Sequence, residues 1–318
     1  MHNRRDFIKK TGLATAFLGL GLGGQAFSLA PRAELFKISL AQWSVNRLLF
    51  SKKMDNLDFA ILAKKHGISA VEYVNQFFMD KAKDTSYLKE MKTRAEGEGV
   101  TSVLIMCDNE GKLGARDESE RMETVENHKK WVEAAKFLGC HSIRVNGYSF
   151  ARYSADKKDF AESMKLVADG LRNLCEFADT MGINVMIENH GGFSSNAKWL
   201  TGVMKAADHP RAGTLPDFGN FLMYREEGEK TLSYDSYKGV KQLMPFAKGV
   251  SVKPTVWDGK GNQSQLDYEK MMSIVLKAGY HGYCGIEHGE QGRIWESIVE
   301  IREQLEATEK ALRGSFSV

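Results

Sequence analysis

The stretch VMIENHGG, residues 185–192, begins like a buried strand and ends on a carboxylate, an amide and an imidazole before two glycines. Val185, Met186 and Ile187 are consecutive apolar residues, as in a parallel strand covered on both faces. Side chains alternate along a strand, so Glu188 and His190 share a face. Barrels of parallel strands carry their sites at the C-terminal strand ends. A strand that turns polar only at its exit therefore suggests such a barrel.

Working outward, the pattern recurs. Short, mostly apolar runs at 36–43, 69–74, 100–107, 141–146, 183–189, 212–218, 247–253 and 282–288 read as eight strands. Amphipathic helical stretches lie between them, at 56–67, 126–139, 163–182 and 267–279, and another at 297–314 closes the chain. Each ends on a glycine, the usual C-terminal stop. Eight strands alternating with helices predict a single-domain α/β fold, a (β/α)8 TIM barrel of about 285 residues over 31–318. A doubly wound open sheet is the alternative. It usually brings a Gly-rich phosphate turn after its first strand, and LAQWSVNR (40–47) has none.

All eight strand exits are polar. Gln42 and Trp43 end the first; Tyr73 and Asn75 the second, with Glu72 just inside; Asp108 and Asn109 follow the third. Arg144 and Asn146 end the fourth, Glu188 and His190 the fifth, Asp217 and Asn220 the sixth, Ser251 and Lys253 the seventh, Glu287 and His288 the eighth. Buried carboxylates are costly unless paired or bound to a cation. Glu188, Asp217 and Glu287 converge from neighbouring strands, and oxygen-rich clusters suit Mg²⁺ or Mn²⁺. The alternatives are a structural network in which Arg144 and Lys253 neutralise the acids, and a polar site that works without metal. Trp43, Tyr73, Phe77, Phe78 and Trp257 are candidate stacking surfaces near these strand ends. Residues 108–121 and 254–265 are long enough to serve as lids.

The chain has 318 residues, is 42% hydrophobic and 27% charged, and carries a net +3. Residues 1–30 read as an export signal: Arg4 and Arg5, then an apolar Gly-rich run, then small residues at Ser28 and Ala30. The paired arginines resemble a twin-arginine signal and predict a periplasmic protein. The apolar run, about fifteen residues, is short for a membrane span. The segment holds Arg4, Arg5, Lys9 and Lys10 against Asp6, so the remainder is near neutral, which argues against nucleic acid. Cys107, Cys140, Cys175 and Cys284 form no CxxC pair and are expected as buried free thiols.

VMIENHGG, LPDFGN (215–220) and GYCGIEHGE (282–290), with ENHKKWVEAAKFLGCHSIRVN (126–146), resemble the sugar phosphate isomerase/epimerase family with the xylose isomerase-like barrel. The resemblance spans roughly residues 36–310. It implies that Glu188, Asp217 and Glu287 are metal ligands, for Mn, Mg, Co or Zn, and that Glu188 and Glu287 transfer protons on opposite faces of a sugar. Ser251 stands where the family usually places a histidine ligand, with Lys253 two residues on; His190 or water is the alternative fourth ligand. Lys253 and His190 are candidate catalytic groups. Gln42, Trp43, Tyr73, Asn75, Arg144, Asn146, Asn220 and Trp257 are candidate substrate contacts.

The implied activity is a metal-dependent sugar isomerase or epimerase acting through an enediolate. Export and the lack of a Gly-rich cradle favour a non-phosphorylated sugar or derivative. Two rivals stand: cleavage of a 3-keto-glycoside by the same proton abstraction, and a non-catalytic periplasmic sugar-binding protein. The expected partner is a small carbohydrate, with no nucleic acid, no stable membrane insertion after signal cleavage, and scope for a homo-oligomer.

Overall fold

A computed structural model describes residues 33–227 and 230–317. The export signal expected at 1–30 lies outside the described residues. Eight parallel strands form the ring: β1 (Lys37–Ala41), β2 (Ala70–Val74), β3 (Thr101–Met106), β4 (Ser142–Asn146), β5 (Asn184–Glu188), β6 (Ala212–Leu215), β7 (Val250–Val252) and β8 (Tyr283–Ile286). Their order is β6-β5-β4-β3-β2-β1-β8-β7. Parallel bridges Thr214–Ala247 and Asp217–Ser251 close the ring between β6 and β7. The Ser251 amide donates to the Pro216 carbonyl at 3.0 Å, and the Phe218 amide donates to the Ser251 carbonyl at 3.0 Å. The (β/α)8 expectation holds, and the open sheet is excluded.

Around the ring stand α1 (Phe59–Lys65), α2 (Thr85–Gly97), α3 (Glu118–Leu138), α4 (Lys157–Asp179), α5 (Ala197–Ala207), α6 (Ser236–Leu243), α7 (Tyr268–Lys277) and α8 (Ile294–Leu312). Asp84, Asp117, Asp156, Asn196, Asp235 and Asp267 cap α2 to α7, each accepting from a first-turn backbone N–H. Such caps contribute about 1 kcal/mol apiece and set where the helices begin. Asp117 starts α3 inside the first expected lid, shortening that loop. The second expected lid folds as an antiparallel hairpin, Thr255–Trp257 against Gln263–Gln265.

Most apolar burial lies between the sheet and the helices, where Trp131, Trp199, Phe59 and Ile187 pack. A second, smaller cluster includes Ala41, Val74, Leu104, Met106, Met186 and Leu215. All four cysteines are buried free thiols, as expected. Among the described residues no helix is long and apolar enough to cross a membrane.

Candidate active site

The opening stretch resolves into three jobs. Glu188 is wholly buried and turns into the charged cluster at the mouth. Asn189 pins β5 to the exit of β6: its Oδ1 accepts from the Asp217 amide at 2.8 Å, and its Nδ2 donates to the Asp217 and Asn220 carbonyls at 2.9 and 3.2 Å. His190 lines the cleft above. The chain must then turn sharply. Gly192 has φ 61°, and a Cβ there would fall 2.0 Å from the Arg152 carbonyl oxygen.

Two ion-pair groups meet at this end. In the first, Glu188 Oε1 accepts from Asn220 Nδ2 at 2.9 Å and Oε2 lies 2.9 Å from Arg144 Nε. Arg144 Nη1 donates to Asp108 Oδ1 at 2.7 Å, and Asp108 also accepts from Asn146 Nδ2 at 2.7 Å and Gln76 Nε2 at 2.9 Å. In the second, Asp217 Oδ1 accepts from the amides of Gly219 and Asn220 at 2.8 and 2.7 Å. Its Oδ2 accepts from Ser251 Oγ at 2.8 Å and Lys253 Nζ at 2.7 Å. Lys253 Nζ also stands 2.5 Å from Glu287 Oε1.

These environments move the titrations. Burial holds Glu188 above the ordinary carboxylate range; Arg144 opposes this, while Glu287 and Asp217 add to it. Burial also tends to raise Asp108, but Arg144, Asn146 and Gln76 outweigh it and hold it below its usual range. Burial, then the Arg144 and Lys253 charges, lower His190 to about 4, so its imidazole is neutral at pH 7. Burial works to lower Lys253, and Asp217, Glu287 and Glu188 more than reverse it.

Arg144, Asp108, Asn146, His190 and Glu287 open on a cleft of about 170 Å³, with Trp43, Gln76, Asn109 and Tyr148 completing its wall. Tyr148 Oη lies 3.4 Å from His190 Nδ1. Trp43, Phe50 and Phe77 form an aromatic wall beside it, with Phe50 59% exposed. Glu287 is the one member of the acid trio in the cleft wall; Glu188 is covered by Arg144 and Asn220.

Four expected substrate contacts are committed elsewhere. Gln42 Oε1 accepts from the Val74 amide at 2.8 Å and its Nε2 donates to Asn56 at 2.6 Å. Asn75 exchanges two 2.9 Å bonds with the Asp108 backbone. The Tyr73 hydroxyl sits 3.1 Å from Ser102 Oγ, and its ring packs on Phe59 and Phe78. Trp257 is buried, its Nε1 donating to the Gly219 carbonyl at 3.0 Å. Strand alternation explains Tyr73: Glu72 takes the inward face, so its neighbour points outward. Trp43, Arg144 and Asn146 do line the cleft; Asn220 does not, its amide donating to Glu188 behind the wall. Gln76, Asp108 and Tyr148 also line the cleft, and sequence reasoning names none of them as a candidate contact; Gln76 and Tyr148 lie beyond the last strand residue, where periodicity carries no signal.

Glu72 lies in the barrel interior. It accepts from Ser39 Oγ at 2.6 Å, while its Oε2 is buried without a hydrogen-bond donor. Burial raises it to about 7 from 4.5, with Ser39 opposing and Glu287 adding. Below pH 4.5 folded and unfolded chains both hold this proton. Between 4.5 and 7 only the folded chain does, so stability falls as pH rises through that window. The loss amounts to about 3 kcal/mol. Glu72→Gln is expected to flatten that slope between pH 5 and 8, measured as urea midpoints; an unchanged slope would refute the assignment.

Glu188, Asp217 and Glu287 offer oxygens within 4.8 Å of one another, forming a candidate carboxylate site for a metal. The finer fit fails as the side chains stand. The Asp217 carboxylate already accepts four hydrogen bonds, which fills its lone-pair sites. The Lys253 ammonium fills the space between Asp217 and Glu287. The expected trio is assembled, but a side-chain cation lies between two of its members.

The chain is 22% identical over 245 residues to the L-ribulose-5-phosphate 3-epimerase UlaE of Escherichia coli, covering 71% of this chain and 79% of that protein. The crystal structure of the E. coli 3-keto-D-glucoside 4-epimerase YcjR matches with a TM-score of 0.63 at 16% identity, covering 86% of this chain and 99% of that one. A xylose isomerase-like barrel protein from Mycobacterium smegmatis, in complex with magnesium, matches with a TM-score of 0.63 at 14% identity, covering 87% and 97%. At these identities the two structures speak to the fold alone. The family model of the xylose isomerase-like TIM barrel matches residues 61–311. With the closed ring and the polar exits of its strands, the chain belongs to the xylose isomerase-like TIM barrel family.

Proposed function

We propose that this protein is an enzyme that moves a proton at the carbon beside a carbonyl of a non-phosphorylated sugar or sugar derivative, as an epimerase or isomerase. The observation that carries the reading is one cleft holding Glu287, neutral His190 and the guanidinium of Arg144 at the C-terminal end of the barrel. Glu287 takes the proton; the electron pair moves onto the carbonyl oxygen, where cationic donors stabilise it. For an isomer Glu287 returns the proton to the neighbouring carbon on the same face; for an epimer water protonates the carbon from the opposite face and the hydroxide left behind takes the proton from Glu287, while neutral His190 holds a sugar hydroxyl. Glu188 acts through Arg144, which it orients. Asp108 and Glu287 in the wall favour hydroxyl groups and repel a phosphate dianion. That the curated relative UlaE is an epimerase supports the reaction class. The divalent ion implied by the resemblance has no room between Asp217 and Glu287, because Lys253 fills that space.

The test is deuterium wash-in from D₂O, followed by NMR, over a panel of ketohexoses and 3-keto-glucosides. The expected result is exchange at one carbon beside the carbonyl, with a new epimer or isomer. Release of free aglycone would replace this reading with elimination. Tight binding with no exchange would replace it with a binding protein. Export through residues 1–30 is part of the proposal. Changing Arg4 and Arg5 together to lysine is expected to hold the protein in the cytoplasm, seen by fractionation; unchanged export would reject the twin-arginine route.

A further inference from the structure

We propose that Lys253 is the resident cation of this barrel: its ammonium stands in the place of a divalent ion between Asp217 and Glu287, and proton transfer runs with no bound metal. The mechanistic half rests on the proton-transfer reading above; the placement of the cation does not.

Three observations carry it. The ammonium contacts a carboxylate oxygen on each side, 2.7 Å from Asp217 and 2.5 Å from Glu287. Asp217 has no lone pair left for an ion, because two backbone amides, Ser251 and Lys253 use all four. Ser251 donates its proton to Asp217, so its hydroxyl acts there as a donor. A metal beside Lys253 would be left with Glu188, already paired with Arg144, and the second oxygen of Glu287.

The lysine's route is also cleared by the fold. A Cβ at Gly219 would lie 3.0 Å from Lys253 Cβ and 3.0 Å from its Cδ, so glycine lets the stem pass beside the Asp217 loop. The side chain is 21% exposed, so it is not sealed from solvent. An ammonium has three N–H donors. Two are engaged by carboxylates, and the third is left for a ligand oxygen. When the Glu287 carboxylate takes the proton from carbon, the C–H electron pair becomes the C=C bond of the enolate and the carbonyl π pair settles on oxygen. Negative charge thus leaves Glu287 and appears on the sugar, and the ammonium beside Glu287 can follow it. Proton return reverses each of these shifts, so no oxidant, reductant or metal enters the balance.

The experiment titrates the chelator-stripped full chain with Mn²⁺ and with Zn²⁺ alone, by calorimetry and by competition with a chromophoric chelator. Wild type is expected to bind neither tighter than about millimolar, and its deuterium wash-in to survive excess chelator. Lys253→Met frees both acids, and is expected to bind Mn²⁺ at least tenfold tighter than wild type while losing wash-in under chelator. One tight equivalent in wild type, with wash-in lost on stripping and restored by the metal, would overturn the proposal. If Lys253→Met does not fold, the wild-type titration still decides. If no sugar shows exchange, the proton-transfer reading fails while the titration separately decides where the cation lies.

Discussion

Glu287→Gln is expected to lower the rate of deuterium wash-in by about 10³-fold, within the range typical of a lost general base. Glu287 is the member of the acid trio that forms part of the cleft wall, and it is 8% exposed where Glu188 and Asp217 are sealed. The amide keeps the volume and can still accept from Lys253, so the barrel end stays assembled. The loss belongs to kcat, because the group acts on the transferring proton; KM is expected to move little. A matched Glu188→Gln variant separates roles. Glu188 touches Arg144 and Asn220 and not the cleft, so its effect is expected to be smaller and to travel with altered binding. Equal losses in kcat for the two variants would show that Glu188 reaches the substrate and that Arg144 moves to admit it. Wash-in within tenfold of wild type for Glu287→Gln would reject Glu287 as the base.

Arg144→Met is expected to have the largest effect on stability, about 3–5 kcal/mol, the range for removing one partner of a buried ion pair. Its guanidinium side chain is 5% exposed and serves both Asp108 and Glu188. Methionine fills much of the volume but leaves both carboxyls facing an apolar group. The sign of the pH dependence follows from Asp108. Its folded value is depressed, so its contribution is present above the unfolded value near 3.8 and fades as pH falls through the lower folded one. The gap between wild type and Arg144→Met should therefore be wide at pH 7 and shrink progressively as pH falls below about 4. Urea midpoints with an unchanged slope measure it. By contrast Arg116, 56% exposed in its pairs with Asp159 and Glu162, is expected to change stability little when truncated. A loss below about 1 kcal/mol for Arg144→Met would show that the mouth does not depend on its central cation.

Much of the frame was legible residue by residue. The strand expected at 183–189 is Asn184–Glu188, and that expected at 141–146 is Ser142–Asn146. The sixth strand ends at Leu215, short of 218, because Pro216 has no N–H to pair and Asp217 turns to accept two backbone amides of its own loop. The seventh starts at Val250, although Ala247 already bridges to Thr214. Three helices gave too little pattern. In α2 only Leu88, Met91 and Ala95 are buried; α5 is short; and α6 spans barely two turns around Gly239. Their capping residues, Asp84, Asn196 and Asp235, are the signal that could have found them.

The barrel, the polar exit of every strand and the acids that gather there are written in the order of residues, because alternation and apolar runs are local properties that burial imposes along a strand. Which polar exits face the cleft, and what neutralises them, is settled by packing. Lys253 reaches Asp217 and Glu287 across 36 and 34 positions of chain, and Gln42, Tyr73 and Asn75 turn away to neighbouring elements. A buried charge settles wherever the folded ring brings it a partner. That choice depends on the direction of side chains from strands far apart in sequence, and no local pattern carries it.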